Sequence, residues 1–445
     1  MAGVKLKRLT IHKFPNVAPG TELTFNDTWN VLLGRNGTGK TRLLKLIAMV
    51  VKDEFSDLIE TDFSIEYALS FPGAKLIVSI ENNPGDRFAP GTLGSSPDEM
   101  VWIDSPVDKW SYHVEINTEQ HRYSLSSSPT GTTYDVPVDA PDREDRTVLR
   151  PFGGHSLVSS LNRILSVIDL PREQNKALVT MIGTSSLWRV GRFDESLAAF
   201  EILCGAMSAE IGSSLPTARA FAQTQGRKVA FSGANALWPA SLSYYLNGLP
   251  AEALRAESLR LPRDHAPFLQ RTVELFGFED GEMILHLVRK DSSRPDVDFL
   301  YYGNFSFLFT LPGGSQITED ALSYGQKRLL AFLYYVACND EIVIADELVN
   351  GMHYDWIGAC IDAIGDRQSF LTSQNPLLLD FLPFSSPEEV QKSFIQCSHA
   401  PRAEGQGRAQ FAWHNLSDED AATFFRAYEA GVQHVSEILK TKGMW

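Results

Sequence analysis

Trp29-Asn30-Val31-Leu32-Leu33-Gly34-Arg35-Asn36-Gly37-Thr38-Gly39-Lys40-Thr41-Arg42-Leu43-Leu44 decides how the rest of the chain is read. An apolar run ends at Leu33, glycines follow at 34, 37 and 39, and Leu43, Leu44, Ile47, Val50 and Val51 then recur at helical spacing. The segment therefore predicts strand, glycine loop and helix in succession. Gly34 to Thr41 fits the pattern GxxxxGK[ST], and each part has a physical reason. Backbone N–H groups of Gly34, Asn36, Gly37, Thr38 and Gly39 can close around phosphate oxygens, and a helix N-terminus adds positive potential. Lys40 reaches the β- and γ-phosphates, and Thr41 offers a hydroxyl to Mg²⁺. An ordinary glycine turn is the plainer reading, and the strand before and helix after argue against it.

Working outward, Val4, Leu6, Leu9 and Ile11 mark an opening strand, and Phe63–Phe71, Lys75–Glu81 and Tyr112–Ile116 read as short strands. Ser124–Arg146 is rich in Ser, Thr, Pro and Asp and reads as a polar loop. Between about 155 and 280 the spacing turns helical, over Ser156–Ile168, Phe193–Ile211, Ala251–Leu259 and Asp264–Phe276. Pro171, Pro216, Pro239, Pro250, Pro262 and Pro267 exclude a long heptad arm there. Strands resume at Glu282–Val288 and Phe305–Leu311, and a closing helix is expected near Asp418–Lys440. The expected class is α/β: residues 1–150 and 282–445 form one sheet domain, and 151–281 is a mainly helical insertion that could serve as a sensor or partner platform.

The chain has 445 residues, a net charge of −15, an apolar fraction of 43% and four cysteines. That composition excludes disorder and collagen-like repeats as the main story. The opening MAGVKLKRLTIHKF lacks the apolar core of a signal peptide, so a cytoplasmic chain without a membrane partner is expected. Cys204, Cys338, Cys360 and Cys397 are widely separated, which suggests neither a disulfide framework nor a zinc site. The acidic balance argues against a surface that is basic all over, while leaving room for a local positive groove.

Two further segments carry chemistry. Ile342-Val343-Ile344-Ala345 is an apolar run ending in Asp346-Glu347, as a buried parallel strand ends when its carboxyl edge faces a nucleotide. Asp346 would hold Mg²⁺ through water and Glu347 would act as general base toward the attacking water. Upstream, Leu322-Ser323-Tyr324-Gly325-Gln326 opens an apolar helix. Ser323 and the N–H of Gly325, with Gln326, can make a second phosphate clamp; the plainer reading is that Ser323 caps its helix.

LSYGQ resembles the LSxGQ signature of ABC-type ATPases, at the usual distance before the acidic strand. Asn350-Gly351-Met352-His353 resembles the NGLH segment of RecF-like and OLD-like ATPases. Phe370 to Pro376 is similar to their TTHSP switch segment, with Gln374 where histidine is usual. Glutamine can hydrogen-bond a γ-phosphate but carries no proton charge. Ile11-His12-Lys13-Phe14 is similar to the family's opening strand, with Pro15 where an arginine often follows. The long interval between Thr41 and Leu322 favours the SMC/RecF/OLD branch over transporter subunits.

The resemblance implies a P-loop ABC-type ATPase head that binds ATP and Mg²⁺ and associates with itself, as a dimer or larger, around the nucleotide. Ser323 and Gly325 would then act in trans. It further implies slow hydrolysis and a separate nuclease or toxin effector in anti-phage defence, the stretch after Gln374 being short for a Toprim nuclease domain. The alternatives are a DNA-repair ATPase that clamps DNA directly and a non-enzymatic scaffold held together by ATP. Asp418-Glu419-Asp420 reads as the acidic first turn of a helix rather than a metal cluster, and Cys397, His399 and His414 lack zinc-like spacing.

Overall fold

The computed structural model describes residues 3–83, 111–118, 122–128, 131–135, 192–194, 217–223, 230–234, 239–400 and 410–443, apart from positions 53, 59, 73, 251, 295 and 296. The helix expected over Ser156–Ile168, the one over Phe193–Ile211 beyond Asp194, Cys204, and 136–146 of the expected polar loop lie outside these residues. The chain divides into two compact units, Met1–Val190 with Pro383–Trp445, and Gly191–Leu382.

The first unit opens with β1 (Lys5–Lys13), β2 (Thr21–Thr24), β3 (Trp29–Leu33), α1 (Lys40–Lys52), β4 (Phe63–Phe71), β5 (Ala74–Asn82), β6 (Ser111–Thr118), β7 (Arg122–Ser128) and β8 (Gly131–Asp135). All but β3 join one antiparallel sheet, in the order β2-β1-β4-β5-β6-β7-β8. Its core face follows from alternation: Phe63, Ile65, Tyr67, Leu69 and Phe71 are buried along β4, and Ile65 stands opposite Ile11 and Ile80. β7 and β8 correct the expected polar loop from Ser124 onward. Pairing is made by backbone groups, so a Ser- and Thr-rich segment can extend an antiparallel sheet once a partner edge is offered, here Val114 opposite Leu125 and Leu125 opposite Tyr134. Helix α1 forms as its spacing predicts, with Leu43, Leu44, Ile47, Val50 and Val51 all buried. Each such side chain stabilises the packed helix by about 2 kcal/mol.

The second unit contains β9 (Thr217–Gln223), β10 (Ala230–Ala234), α2 (Ala240–Asn247), β11 (Ser258–Pro262), α3 (Pro267–Phe276), β12 (Asp280–Arg294), β13 (Val297–Thr310), β14 (Gln316–Thr318), α4 (Tyr324–Cys338), β15 (Ile342–Ala345), α5 (Tyr354–Ile364) and β16 (Gln368–Leu371). An antiparallel sheet runs β10-β9-β13-β12-β11, with β14 also on β13. Phe305, Phe307 and Phe309 fill its core face at a period of two, and Phe268 of α3 meets Phe307 and Tyr334 edge-on, at ring distances of 6.4 and 5.2 Å. The stretch expected to be mainly helical thus carries strands among its described residues. Pairing with β13 draws the alanine-rich β9 into the sheet against its helical propensity. Over Ala251–Leu259 the structure has a single 3-10 turn at Ala253–Arg255 and then β11, where Leu259 and Leu261 are buried and Arg260 and Pro262 exposed. Pairing of Ser258–Pro262 with β12 draws this stretch into the sheet instead of a helix.

The chain returns to the first unit with α6 (Pro387–Ser393), β17 (Phe394–His399), β18 (Phe411–Asn415), α7 (Asp418–Glu429) and α8 (Val435–Thr441). The fully buried β3 pairs in parallel with β17, which pairs antiparallel with β18. The Asn415 side chain accepts from Thr24 N at 2.9 Å and donates to Thr24 O at 2.8 Å, fastening this hairpin to β2. The single closing helix expected over Asp418–Lys440 is two helices, because Gly431 adopts a φ of 65° between them. Among the described residues no helix is long and apolar enough to cross a membrane.

Candidate functional site

In the first unit the glycine loop joins β3 to α1. Gly34 has a φ of 142°, and a Cβ there would stand 2.2 Å from the carbonyl oxygen of Cys397, so only glycine fits against β17. Gly39 lies under the Phe411 ring, where a Cβ would come within 2.9 Å. Thr38 is buried and braces the loop: its Oγ1 donates to Arg35 O at 2.7 Å, and its own carbonyl accepts from Trp413 Nε1 at 3.3 Å. Arg35, Asn36 and Gly37 are exposed at the tip, and Thr41 is exposed at the first turn of α1. Lys40 Nζ folds back over the loop, 2.6 Å from Gly34 O and 3.2 Å from Arg35 O. Its positive charge therefore stands at the helix N-terminus, within reach of an anion held by the loop. Burial pushes the Cys397 thiol up to about 12, the Lys40 charge acting in the opposite sense, so this cysteine is a neutral packing group.

In the second unit Asp346 and Glu347 follow directly on the buried strand β15. Glu347 N–H donates to Thr372 Oγ1 at 2.9 Å, and the Thr372 hydroxyl in turn donates to Asp346 Oδ1. Gln374 N–H donates to Glu347 Oε2 at 3.1 Å. The acidic pair and the segment resembling a switch are thus brought together through Thr372 and the backbone of Gln374, whose own residue is exposed. Glu347 adopts a φ of 52°, an uncommon backbone for a non-glycine residue. Asp346 offers carboxylate oxygens, hard donors of the kind that suit Mg²⁺. Among the described residues no group of three or more His, Cys, Asp or Glu side chains could hold a metal by itself.

Ser323 caps α4 in the plain manner its sequence allows: Gln326 N–H donates to Ser323 Oγ at 3.3 Å, and Ser323 N–H donates to Gln326 Oε1 at 2.9 Å. Gly325 is buried in the first turn against the backbone of Gly351, while Ser323 and Tyr324 remain exposed. Asn350–His353 forms the turn into α5, which His353 caps. Ser417 caps α7 by accepting from Asp420 N at 3.1 Å, which accounts for the acids at 418–420 without a metal.

Sequence reasoning missed Arg328 and Thr372. Arg328 is 7% exposed, lies 5.1 Å from the Phe193 ring centroid, and donates from Nη2 to Glu347 O at 2.6 Å and from Nε to Leu348 O at 3.1 Å. One signal was present: an arginine inside the apolar run from Lys327 to Ala337 must find partners or remain unburied.

No family model matches the chain, and no curated protein does. Among solved structures it is similar to an SMC head domain from Thermotoga maritima, with 10% identity over 93% of this chain and 99% of that one, at a TM-score of 0.32. An SMC head bound to the C-winged helix domain of ScpA gives 10% identity over 92% and 98%, at a TM-score of 0.37. A Pyrococcus furiosus SMC head domain, with an extended coiled coil and the C-terminal domain of ScpA, gives 11% identity over 96% and 100%, at 0.36. The functional reading therefore rests on the chain's own residues.

Proposed function

We propose that this protein is an ABC-type ATPase that binds ATP on the Gly34–Thr41 loop and hydrolyses it slowly. The observation that carries the reading is the loop itself: it is too close to β17 for any residue but glycine at 34, and it holds the Lys40 ammonium over its rim at a helix N-terminus. Such an arrangement recognises phosphate oxygens through oriented N–H groups and a mobile point charge. Mg²⁺ is the metal such a nucleotide carries, and its charge would offset that of the phosphates; the reading assigns Thr41 and Asp346 to it as oxygen donors. Glu347 is the general base of this reading, oriented by its contact with the backbone of Gln374. Ser323 and Gly325 are assigned to the nucleotide of a second copy, the exposure of Ser323 at the start of α4 and the resemblance of LSYGQ to the ABC signature being the support for that assignment. Control of a separate nuclease or toxin in anti-phage defence rests on the resemblance of Asn350–His353 and Phe370–Pro376 to RecF-like and OLD-like segments alone.

The deciding experiment is a calorimetric titration with ATP and Mg²⁺. Lys40→Ala should weaken binding about a hundredfold, the order expected for losing a charged hydrogen bond to phosphate. Wild-type affinity in the variant would remove the loop from the proposal.

A further inference from the structure

The two strands that support the loop carry a row of rings. Side chains two apart on a strand share a face, so His399 stands on the face of Cys397, whose carbonyl abuts Gly34. Across the hairpin, Phe411 pairs with His399 and Trp413 with Cys397. Trp413 is tied to the loop through Thr38 O and stacks on Phe411 at a ring distance of 6.0 Å with planes 7° apart. Phe411 covers Gly39 and stacks on His399 at 5.5 Å with planes 30° apart. The row thus begins against the loop and ends at an exposed imidazole. It is held in place by backbone, since Phe411 N–H donates to Asn16 O at 2.7 Å and Phe411 O accepts from Ala18 N at 2.8 Å.

Arg42, directly after Thr41, adds a second observation. Its guanidinium lies 5.4 Å from the Phe14 ring centroid and 6.0 Å from that of Phe411, and its buried Nε has no hydrogen-bond partner among the described residues. The guanidinium, carried by α1, thus packs against Phe411 and helps to fix the ring on which His399 stacks.

We propose that this ring row is the seat of the nucleobase: the base stacks on the exposed His399, backed by Phe411. The inference rests on reading Gly34–Thr41 as a phosphate loop. Its ligand class is a nucleoside triphosphate with a large aromatic base, a purine above a pyrimidine, because stacking grows with the face that is covered. The rival account is that His399 and Phe411 form a cross-strand pair that only stabilises the hairpin.

The two accounts separate on a ligand that has the phosphates without the base. Binding of ATP and of inorganic tripolyphosphate, both with Mg²⁺, is measured by calorimetry on the full chain and on His399→Ala, His399→Phe and Lys40→Ala. His399→Ala should weaken ATP about tenfold, the order of one base–aromatic stack, and leave tripolyphosphate unchanged; His399→Phe should restore ATP. Unchanged ATP affinity in His399→Ala, or an equal loss for both ligands, overturns the seat. If that happens while Lys40→Ala loses both ligands, the phosphate loop stands and only the seat falls. A wild-type chain that binds neither ligand overturns both.

Discussion

Arg328, on the helix that begins with Ser323 and Gly325, donates a 2.6 Å hydrogen bond to the carbonyl oxygen of Glu347. A second bond to Leu348 O holds the next carbonyl, and Glu347 keeps its positive φ just before it. A left-handed glutamate costs about 1–2 kcal/mol relative to a relaxed backbone, so the turn persists because the buried guanidinium holds it. One side chain thereby links the start of α4 to the acidic pair.

Arg328→Ala should therefore do more than remove a packed side chain. It removes the guanidinium donor from Leu348 O and one of two donors from Glu347 O, which Asn350 N–H still reaches at 3.2 Å, and should destabilise the protein by roughly 2–3 kcal/mol. It should also lower ATP turnover at least about tenfold while ATP affinity stays near wild type, because the loop proposed to bind phosphate is untouched. Arg328→Lys can reach one carbonyl but not both, and should fall between the two proteins in turnover and in thermal midpoint. Equal turnover in all three would mean that the turn holds its shape without the guanidinium.

Glu347→Gln keeps the side-chain shape and an acceptor for Gln374 N–H, yet removes the basic oxygen. Turnover should fall about a hundredfold or more, with ATP and Mg²⁺ still bound. On the proposed sandwich, ATP should then accumulate a self-associated form visible by light scattering. A variant no more associated than wild type in ATP would remove the support for a shared nucleotide.

What was legible in the sequence was local. The glycine loop, α1 and β15 announce themselves because their patterns lie within a few consecutive residues: Leu43 to Val51 at helical spacing, and Ile342 to Ala345 as an unbroken apolar run. What was not legible depended on partners far away in the chain. β7 and β9 are strands because β6 and β13 offer them edges, and nothing within Arg122–Ser128 or Thr217–Gln223 says so. The same holds for the site. Arg328 and Thr372 matter through backbone groups of Glu347, which carry no sequence signature, and Phe411 and Trp413 meet the loop from β18, far along the chain, with His399 beside them on β17.

A prediction about stability comes from Asp298, which is 5% exposed. A hydrogen bond from Ser292 Oγ at 2.6 Å, followed by those from Arg255 and Lys290, holds its carboxyl below the ordinary value against the opposing effect of burial. A carboxylate whose pKa is lower in the folded state stabilises fully above the unfolded value, about 3.9, and loses that contribution as pH falls through the folded value. Asp298→Asn should thus lower the thermal midpoint by a few degrees at neutral pH. The gap from wild type should close as the pH falls from about 3.9 through the lower folded value. A gap that is constant with pH would assign the loss to packing alone.

The last prediction concerns Gln374, where the sequence departs from the histidine usual in the segment it resembles. Its contact with Glu347 runs through the backbone N–H, so the side chain can be exchanged without losing that hydrogen bond. A histidine there can hold the γ-phosphate and also stabilise charge that develops on transfer, whereas glutamine supplies only the first. Gln374→His should raise turnover several-fold with little change in ATP affinity, because the added interaction favours the transition state over the bound ground state. The pH profile gives a second readout: activity added by a protonated imidazole should decline as pH rises above about 6.5, while glutamine gives no such limb. Equal or lower turnover in the histidine variant, with ATP affinity and self-association intact, would mean that residue 374 does not limit hydrolysis.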